Sequence, residues 1–401
     1  NTAEGHGGGL AECEGTIEGN LIGDNGASLD GGGLYRCSTV IRGNRIEGNS
    51  VGKRLGGGLF ECRGWIADNT IEANDAREGG GAYGCVGALV GNLFIKNVAE
   101  AFYISGHFGY GNANGGFGGA VSNHSGTIDQ NLFLENSGLG YTPPGTTGDC
   151  RSIDFASQRG AKGGAVYQSN GRMTNALFVE NFITPPSCRG PDETQEIFLN
   201  FNGGAVFEFE GDIVHNTFVS NRALDHGGAI SDCSGVIQNN IFWLNSAAGD
   251  AQIHNSSLPN HCLIQGWTSG GTGNIDLDPR FVDPENGDFH LRHDSPCIDS
   301  GVLIASVTDD YDGNTRPFHW STQYGGDGSG YDMGAYEFRP TSDVDYDGKV
   351  GALDLIVFQY DWGAVSGLGE KIYTPSGMAT DMDGNGVVDT RDLLWFLEGI
   401  K

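Results

Sequence analysis

A short glycine-rich motif returns eight times between residues 7 and 245 and constrains the fold more than any other feature. Each copy opens with two glycines, followed by Gly or Ala and then by Leu, Ala, Val or Ile. Every copy carries Ile or Phe fifteen residues after its first glycine and Asn eighteen residues after it. Columns held in register in this way predict a repeat architecture in which each unit covers the next. The copies begin at Gly7, Gly31, Gly56, Gly79, Gly118, Gly163, Gly203 and Gly227.

The spacing of the copies favours short strands over helices. Four of the intervals are 23 to 25 residues long, which is too short for a helix pair and suits one turn of three short strands. Ile, Val and Phe fill the apolar columns, as in strands, while Gly and Asn mark the corners. Equal positions of stacked turns lie about 4.8 Å apart, so the Asn columns can hydrogen-bond along the stack. We therefore expect an all-β parallel β-helix whose Asn columns are structural.

The repeats resemble those of a known group of proteins. The glycine corner followed by Phe-x-x-Asn, as in Phe133-Leu134-Glu135-Asn136, is similar to the repeats of secreted and surface right-handed β-helix proteins, including polymorphic outer-membrane proteins and pectate-lyase-like folds. The resemblance covers residues 7–265 and implies a right-handed single-stranded parallel β-helix. Because that fold hosts lyases, hydrolases, adhesins and inert stalks, it does not define a function.

Composition restricts the partners and the compartment. The net charge of −29 argues against nucleic acid and anionic membranes and favours Ca²⁺. No apolar run approaches the ~20 residues of a membrane span, so we expect no membrane insertion. The sequence shows no initiator Met and no signal peptide, which suggests a mature or trimmed product. We expect a secreted or cell-surface protein, with glycosylation candidates at Asn123 and Asn255.

Nine cysteines point to an oxidising compartment, although the count is odd. The cysteines that share one repeat position form a column. Its first four members could form disulfide bridges between consecutive units or an inward stack of free thiols, and the sequence leaves both arrangements open. Outside this column, Cys150 is predicted to bridge Cys188, and Cys262 pairs with Cys297 as a further candidate. The column contains Cys13, Cys37, Cys62, Cys85 and Cys233.

Three insertions lengthen consecutive units at the same corner, at residues 98–117, 137–162 and 182–202. Insertions at one corner of stacked units must be neighbours, and such edges often bind partners. Their side chains suit a sugar or a protein, or they pack on each other over the lateral face. The binding-surface candidates are Phe102, Tyr103, Phe108, Tyr110, Tyr141, Phe155, Arg151 and Arg189.

The repeats decay after residue 245. We place the β-helix at 1–274 and a terminal segment at 275–340, which resembles the C-terminal segment of many secreted bacterial β-helix proteins and is expected to cap the solenoid. In that segment, His290 and His293 are either metal ligands or, as we favour, structural residues.

Residues 341–401 form a third region with two acidic loops in which alternate positions carry oxygen ligands, and the sixth position is Gly348 or Gly386. This spacing is typical of EF-type calcium loops, and each loop leads into an apolar segment expected to be a short helix. With Asp at position 12 the pair resembles a dockerin module, which implies two Ca²⁺ ions and a cohesin-like partner. Ala352-Leu353 and Thr390-Arg391 depart from the small hydroxyl pairs of cohesin recognition. The expected ligands are Asp343, Asp345, Asp347, Lys349 and Asp354 in the first loop, and Asp381, Asp383, Asn385, Val387, Asp389 and Asp392 in the second.

Three classes of function remain open. We favour an extracellular structural protein that assembles head to tail into a filament or surface layer, because an exposed β-helix end invites stacking and contacts that do not close produce filaments. A carbohydrate- or protein-binding adhesin is the first alternative. A polysaccharide lyase or hydrolase is the second, although the sequence provides no local catalytic signature and we assign no catalytic residue.

Overall fold

The computed structural model describes residues 1–104, 112–140, 160–184, 201–320, 326–344, 350, 352–361, 380–382 and 387–399. Within these residues the chain is all-β, with short parallel strands stacked into sheets and two short helices. It divides into two compact units, Asn1–Pro259 and Asn260–Lys401. The first unit ends before residue 274, where the sequence placed the end of the β-helix.

In the first unit, each repeat contributes one strand to each of three main sheets, and equal repeat positions pair. Ile66 pairs with Ile41 and Leu89, and Phe94 pairs with Ile71 and Phe133. The predicted register and parallel stacking are confirmed, and they are consistent with a parallel β-helix. No helix among the described residues is long and apolar enough to cross a membrane.

The strand bounds follow the repeat. Sheet 1 contains Leu10–Ala11, Leu34–Tyr35, Leu59–Phe60, Ala82–Tyr83, Val121–Ser122, Val166–Tyr167, Val206–Phe207, Ile230–Ser231 and Ile253–His254. Sheet 2 contains Ile17–Glu18, Ser38–Arg42, Arg63–Ala67, Val86–Val90, Ser125–Asp129, Asn170–Thr174, Glu210–Val214 and Ile237–Gln238. Sheet 3 contains, in this unit, Leu21–Gly23, Arg45–Glu47, Thr70–Glu72, Leu93–Ile95, Leu132–Leu134, Leu177–Val179, Thr217–Val219 and Ile241–Trp243. Sheet 4 contains Asp75–Ala76, Val98–Ala99, Ser137–Leu139 and Phe182–Thr184, while Thr2–Ala3 pairs with Gly26–Ala27 and Phe102–Ile104 pairs with Asn112–Asn114.

The Ile/Phe column lies in the core, as predicted. From Phe94 onwards it is a continuous stack of fully buried phenylalanines, whose ring centroids are 4.5 to 5.0 Å apart. Stacked aromatic pairs contribute about 0.5–1.5 kcal/mol each beyond the burial of their area. The stack contains Phe94, Phe133, Phe178, Phe218 and Phe242.

A ladder of buried asparagines runs beside this stack. Asn74 uses its whole amide: Nδ2 donates to Asn97 Oδ1 at 3.0 Å and to Ile46 O at 2.9 Å. Its Oδ1 accepts from the backbone N and from Nδ2 of Asn49, at 3.0 and 2.9 Å. A side-chain amide has two donors and two acceptor sites, so the group is fully satisfied. The long Asn ladder contains Asn25, Asn49, Asn74, Asn97, Asn136, Asn181, Asn221 and Asn245.

A second column repeats this pattern and is interrupted once. Ala176 stands at the sixth position, where its backbone N donates to Asn216 Oδ1 at 2.9 Å. The short Asn ladder before it contains Asn20, Asn44, Asn69, Asn92 and Asn131.

The corners differ in part from the sequence prediction. Gly227 has φ +63° and opens its corner in the left-handed region, and a Cβ on Gly228 would lie 2.4 Å from Ala251 O. The ladder asparagines do not adopt positive φ; the residue before each one does, and it is usually not glycine. Examples are Ala73, Lys96 and Glu180 at φ 51° to 53°. This conformation costs roughly 1–2 kcal/mol for residues other than glycine, and the Asn hydrogen bonds that follow it compensate.

The second unit is less regular. It contains the strands Leu263–Ile264, Phe281–Asp283 and Asp288–Leu291, the 3₁₀ helix Pro284–Asn286, and the α-helices Ala352–Asp361 and Thr390–Gly399. Its centre is polar: the Arg316 guanidinium, with no exposed surface, donates to Glu337 Oε2 and Gly334 O, both at 2.8 Å. Glu337 Oε1 also accepts from Phe318 N.

Candidate metal centre

The described residues of the two acidic loops contribute to one small hydrophobic core. Val344 from the first loop and Val388 from the second pack with Phe358, Met382 and Phe396. The Phe358 and Phe396 rings, one from each helix, have centroids 5.0 Å apart. The two helices and these loop residues therefore share one core.

The carboxylates at position 12 of both loops are buried in the first turns of the helices. Asp354 is 1% exposed and accepts a hydrogen bond from Val344 N at 2.8 Å. Asp392 is 0% exposed and accepts from Asp389 N at 2.7 Å. Asp381, at position 1 of the second loop, is 5% exposed. Buried carboxylates are stable when they are paired or bind a cation, and oxygen ligands of this kind suit a hard cation such as Ca²⁺.

The remaining predicted calcium ligands lie only partly within the described residues. Asp343 and Val387 lie within the described residues, as does Asp389, whose Oδ1 accepts from Arg391 N at 2.8 Å. The predicted ligands Asp345, Asp347, Lys349, Asp383 and Asn385 lie outside the described residues.

The insertions begin side by side at one edge. Val98 pairs with Ser137, and Ser137 pairs with Phe182, so the first residues of the three insertions form adjacent strands of sheet 4. Phe102 and Tyr103 lie in the strand Phe102–Ile104, which pairs antiparallel with Asn112–Asn114. The other surface candidates Phe108, Tyr110, Tyr141, Phe155, Arg151 and Arg189, together with the predicted Cys150–Cys188 bridge, lie outside the described residues.

The cysteine column is a stack of reduced thiols. The Cys37 thiol donates to Tyr35 O two residues earlier, and Cys62 repeats this geometry with Phe60 O, both at 3.6 Å. The hydrogen bond with Cys62 and burial raise the pKa of Cys37. Of the two arrangements left open by the sequence, the structure has the inward stack. His124 takes the cysteine position in the fifth repeat, where burial lowers its pKa to about 4.

The bridge between Cys262 and Cys297 is not formed, which corrects the sequence prediction. Both sulfurs are thiols, and Cys262 donates to Asn260 O at 3.2 Å. Burial raises the pKa of the Cys297 thiol, so it stays protonated and behaves as a small apolar group.

The remaining single-residue predictions fall on the surface or in hydrogen-bond networks. Asn123 is half-buried, with Nδ2 donating to Ser122 Oγ at 3.0 Å, and Asn255 is exposed, with Nδ2 donating to Asp232 Oδ1. His290 contacts two carboxylates, with Nδ1 2.6 Å from Asp288 Oδ1 and Nε2 2.7 Å from Asp312 Oδ2. Both ring nitrogens of His290 are thus engaged by protein groups. His293 lies in the turn that follows the strand Asp288–Leu291.

Sequence reasoning missed one cluster of potential ligands. His226, Asp250 and His254 bring one ligand atom each to within 4.8 Å of one another. His226 precedes the first glycine of the eighth repeat, and Asp250 occupies the matching place one level further on. The three residues occupy two repeat positions, but the residue types at those positions vary along the chain, so the repeat pattern alone did not predict a site there.

No protein-family model, curated protein or solved structure matches this chain.

Proposed function

We propose that this chain is an extracellular structural protein. The stacked parallel strands close into a right-handed single-stranded β-helix, and residues 341–401 form a dockerin-like module that binds two Ca²⁺ ions. The assembly grows head to tail through the β-helix end and the calcium module, giving a filament or a surface layer.

The observation that carries the proposal is the unbroken long Asn ladder. Its eight members are buried, and consecutive ones are joined by Nδ2 to Oδ1 hydrogen bonds, as from Asn25 to Asn49 at 2.9 Å and from Asn221 to Asn245 at 2.8 Å. Stacked amides and stacked rings of this kind give cross-β structures their stability. Such an interior suits a stiff scaffold, whose function is to keep a fixed shape.

Exposed apolar side chains on the two C-terminal helices support a docking role for the calcium module. A surface that exposes several large apolar groups is typical of a binding site. The partner is a second copy of this chain or a cohesin-like surface protein. The exposed side chains are Leu353, Leu355 and Ile356 on the first helix, and Leu394, Trp395 and Leu397 on the second.

Electron microscopy and sedimentation of the full chain, with Ca²⁺ and with EGTA, test the proposal. We expect filaments or sheets with Ca²⁺ and dispersed particles with EGTA. The double variant Asp354→Asn/Asp392→Asn removes one carboxylate charge from each loop and should remain dispersed in Ca²⁺. Glu285→Gln/Asp309→Asn removes the same charge from two exposed acids elsewhere and should assemble as the wild type does. Dispersed wild-type particles at every Ca²⁺ concentration would overturn the assembly proposal.

A binding role for the insertion edge is the second candidate, because the first strands of the three insertions lie side by side. Aromatic residues with a few charges at such an edge suit a polysaccharide or a protein surface. Binding to immobilised acidic and neutral polysaccharides, compared between the wild type and Phe102→Ala/Tyr103→Ala, tests it. Equal binding by both proteins would exclude these aromatics.

A further inference from the structure

His226, Asp250 and His254 form a small cluster on the last levels of the first unit. Gly227 N donates to Asp250 O at 2.7 Å, which sets Asp250 one level above His226. His254 ends the strand Ile253–His254 and pairs with Ser231. The two imidazole rings stack, with centroids 4.2 Å apart and an angle of 19° between their planes.

The carboxylate of Asp250 lies within reach of both rings. Its Oδ2 is 2.6 Å from His254 Nδ1 and 3.6 Å from His226 Nδ1. Asp250 N donates to His226 Nδ1 at 3.4 Å, so that nitrogen is unprotonated and its lone pair faces Asp250; a bound ion would replace this long hydrogen bond. The side chains of His226, Asp250 and His254 are 43%, 59% and 28% exposed, so an ion can reach the cluster directly from solvent.

We propose that His226, Asp250 and His254 bind a divalent transition-metal ion of the Zn²⁺ class. Two imidazoles and one carboxylate are a borderline-soft donor set, which favours Zn²⁺, Co²⁺ or Ni²⁺ over Ca²⁺ and Mg²⁺. A tetrahedral Zn²⁺ at about 2.0–2.1 Å from each ligand holds neighbouring ligand atoms about 3.3 Å apart. Two of the separations, 2.6 and 3.6 Å, bracket that value, and all three ligand atoms lie within 4.8 Å of one another. Because the two rings stack, one imidazole must rotate out of the stack to direct its lone pair at the ion. One position of a tetrahedral ion remains open to water or to a fourth ligand.

The same chain contains a natural control at its other end. His6 Nδ1 lies 3.5 Å from Asp30 Oδ2 and accepts from Asp30 N at 3.1 Å, as His226 does with Asp250. The residue that corresponds to His254 there is Tyr35, whose ring stacks on His6 with centroids 4.3 Å apart. The two places therefore share the strand position and the ring stacking, but the corner between Asp250 and His254 is one residue shorter than that between Asp30 and Tyr35, and the third donor differs. Because Tyr35 fits this position, His254→Tyr should fold.

Titration of the full chain with Zn²⁺, in saturating Ca²⁺ to occupy the acidic loops, tests the proposal by calorimetry. We expect one Zn²⁺ per wild-type chain. His254→Tyr should weaken binding by more than the roughly 10–100-fold that loss of an outer-shell partner costs. With Co²⁺ as the probe, the visible absorption of a tetrahedral ion should appear in the wild type and be lost in His254→Tyr.

The reciprocal change gives the opposite readout. Tyr35→His supplies the missing imidazole beside His6 and Asp30 and should raise the stoichiometry from one ion to two. Circular dichroism of each variant confirms that the fold is retained. Zn²⁺ binding of equal affinity in the wild type and His254→Tyr, or no second ion in Tyr35→His, would overturn the proposal.

Discussion

Asn136 Nδ2 donates to Asn181 Oδ1 at 3.0 Å, although 45 residues separate the two. Asn25 makes the same bond to Asn49 at 2.9 Å across 24 residues. The longer interval contains residues 137–162, the second insertion, and the hydrogen-bond length barely changes. The spacing of the stacked strands therefore does not depend on the number of residues in each repeat, because an insertion at a corner leaves the strands on either side of it in register.

Replacing one member of the long Asn ladder by an acid should destabilise the first unit strongly. Asn74→Asp keeps the shape but removes both donors and places a carboxylate beside two acceptors, Ile46 O and Asn97 Oδ1. We expect a loss of about 3–5 kcal/mol in the free energy of unfolding at neutral pH, as for an unpaired buried charge. Denaturant unfolding measures it, with Asn20→Asp at the exposed end of the short Asn ladder as the control, where the change should be well below this. Equal losses in both variants would contradict the ladder's role.

Repairing the gap between the two parts of the second Asn column should stabilise the protein. Ala176→Asn places an amide between Asn131 and Asn216, where every neighbouring level already has one. Each new hydrogen bond adds about 0.5–1.5 kcal/mol to the free energy of unfolding, and thermal unfolding should show a raised Tm. A lowered Tm would mean that the interior at Ala176 lacks room for the larger side chain.

The buried ion pair of the second unit should tolerate loss of one partner poorly. Arg316→Ala leaves the Glu337 carboxylate buried without its guanidinium, which typically costs about 3–5 kcal/mol. The exposed pair of Arg280 with Asp294 is the control, since surface pairs contribute about 0–1 kcal/mol. Hydrogen exchange of the second unit separates the two variants, and similar protection in both would contradict this view.

The His290 network predicts a pH dependence. Burial disfavours the imidazolium, but the hydrogen bonds to Asp312 and Asp288 outweigh it and raise the pKa of His290 above its ordinary 6.5. A histidine whose pKa rises on folding stabilises the folded state fully below its unfolded pKa, and this stabilisation is lost as the pH rises through the folded value. The stability difference between the wild type and His290→Gln should therefore be largest below about pH 6.5 and shrink above the folded pKa. A difference that grows with pH would refute the assignment.

The cysteine column should react with alkylating reagents only slowly. Burial, followed by the neighbouring Cys37, raises the pKa of Cys13, and burial raises the pKa of Cys233 to about 12. Thiolate is the reactive form, so mass spectrometry should find partly exposed Cys13 modified first and Cys37, Cys62 and Cys233 modified only after unfolding. A bridge between Cys13 and Cys37 would instead leave both unmodified in denaturant until a reductant is added.

The sequence alone established the parallel stacking, the register and the core columns. A residue that recurs at the same position of every repeat lies directly over its counterpart in the next repeat. At such a position, Asn side chains hydrogen-bond to one another and Phe rings stack. The second ladder, including its gap at Ala176, was equally visible from the sequence. The two acidic loops were recognisable because their ligand spacing is local, and the calcium they imply stays a prediction.

The tertiary structure decided what the columns leave open. It placed positive φ on residues such as Lys96 rather than on the ladder asparagines, because the hydrogen bonds of the next Asn, not a local preference, hold that backbone. It kept Cys262 and Cys297 as thiols, since a pairing depends on where two side chains meet and not on their count. It also brought His226, Asp250 and His254 together from two repeat positions that vary along the chain, and only the stacking of adjacent levels makes those positions neighbours.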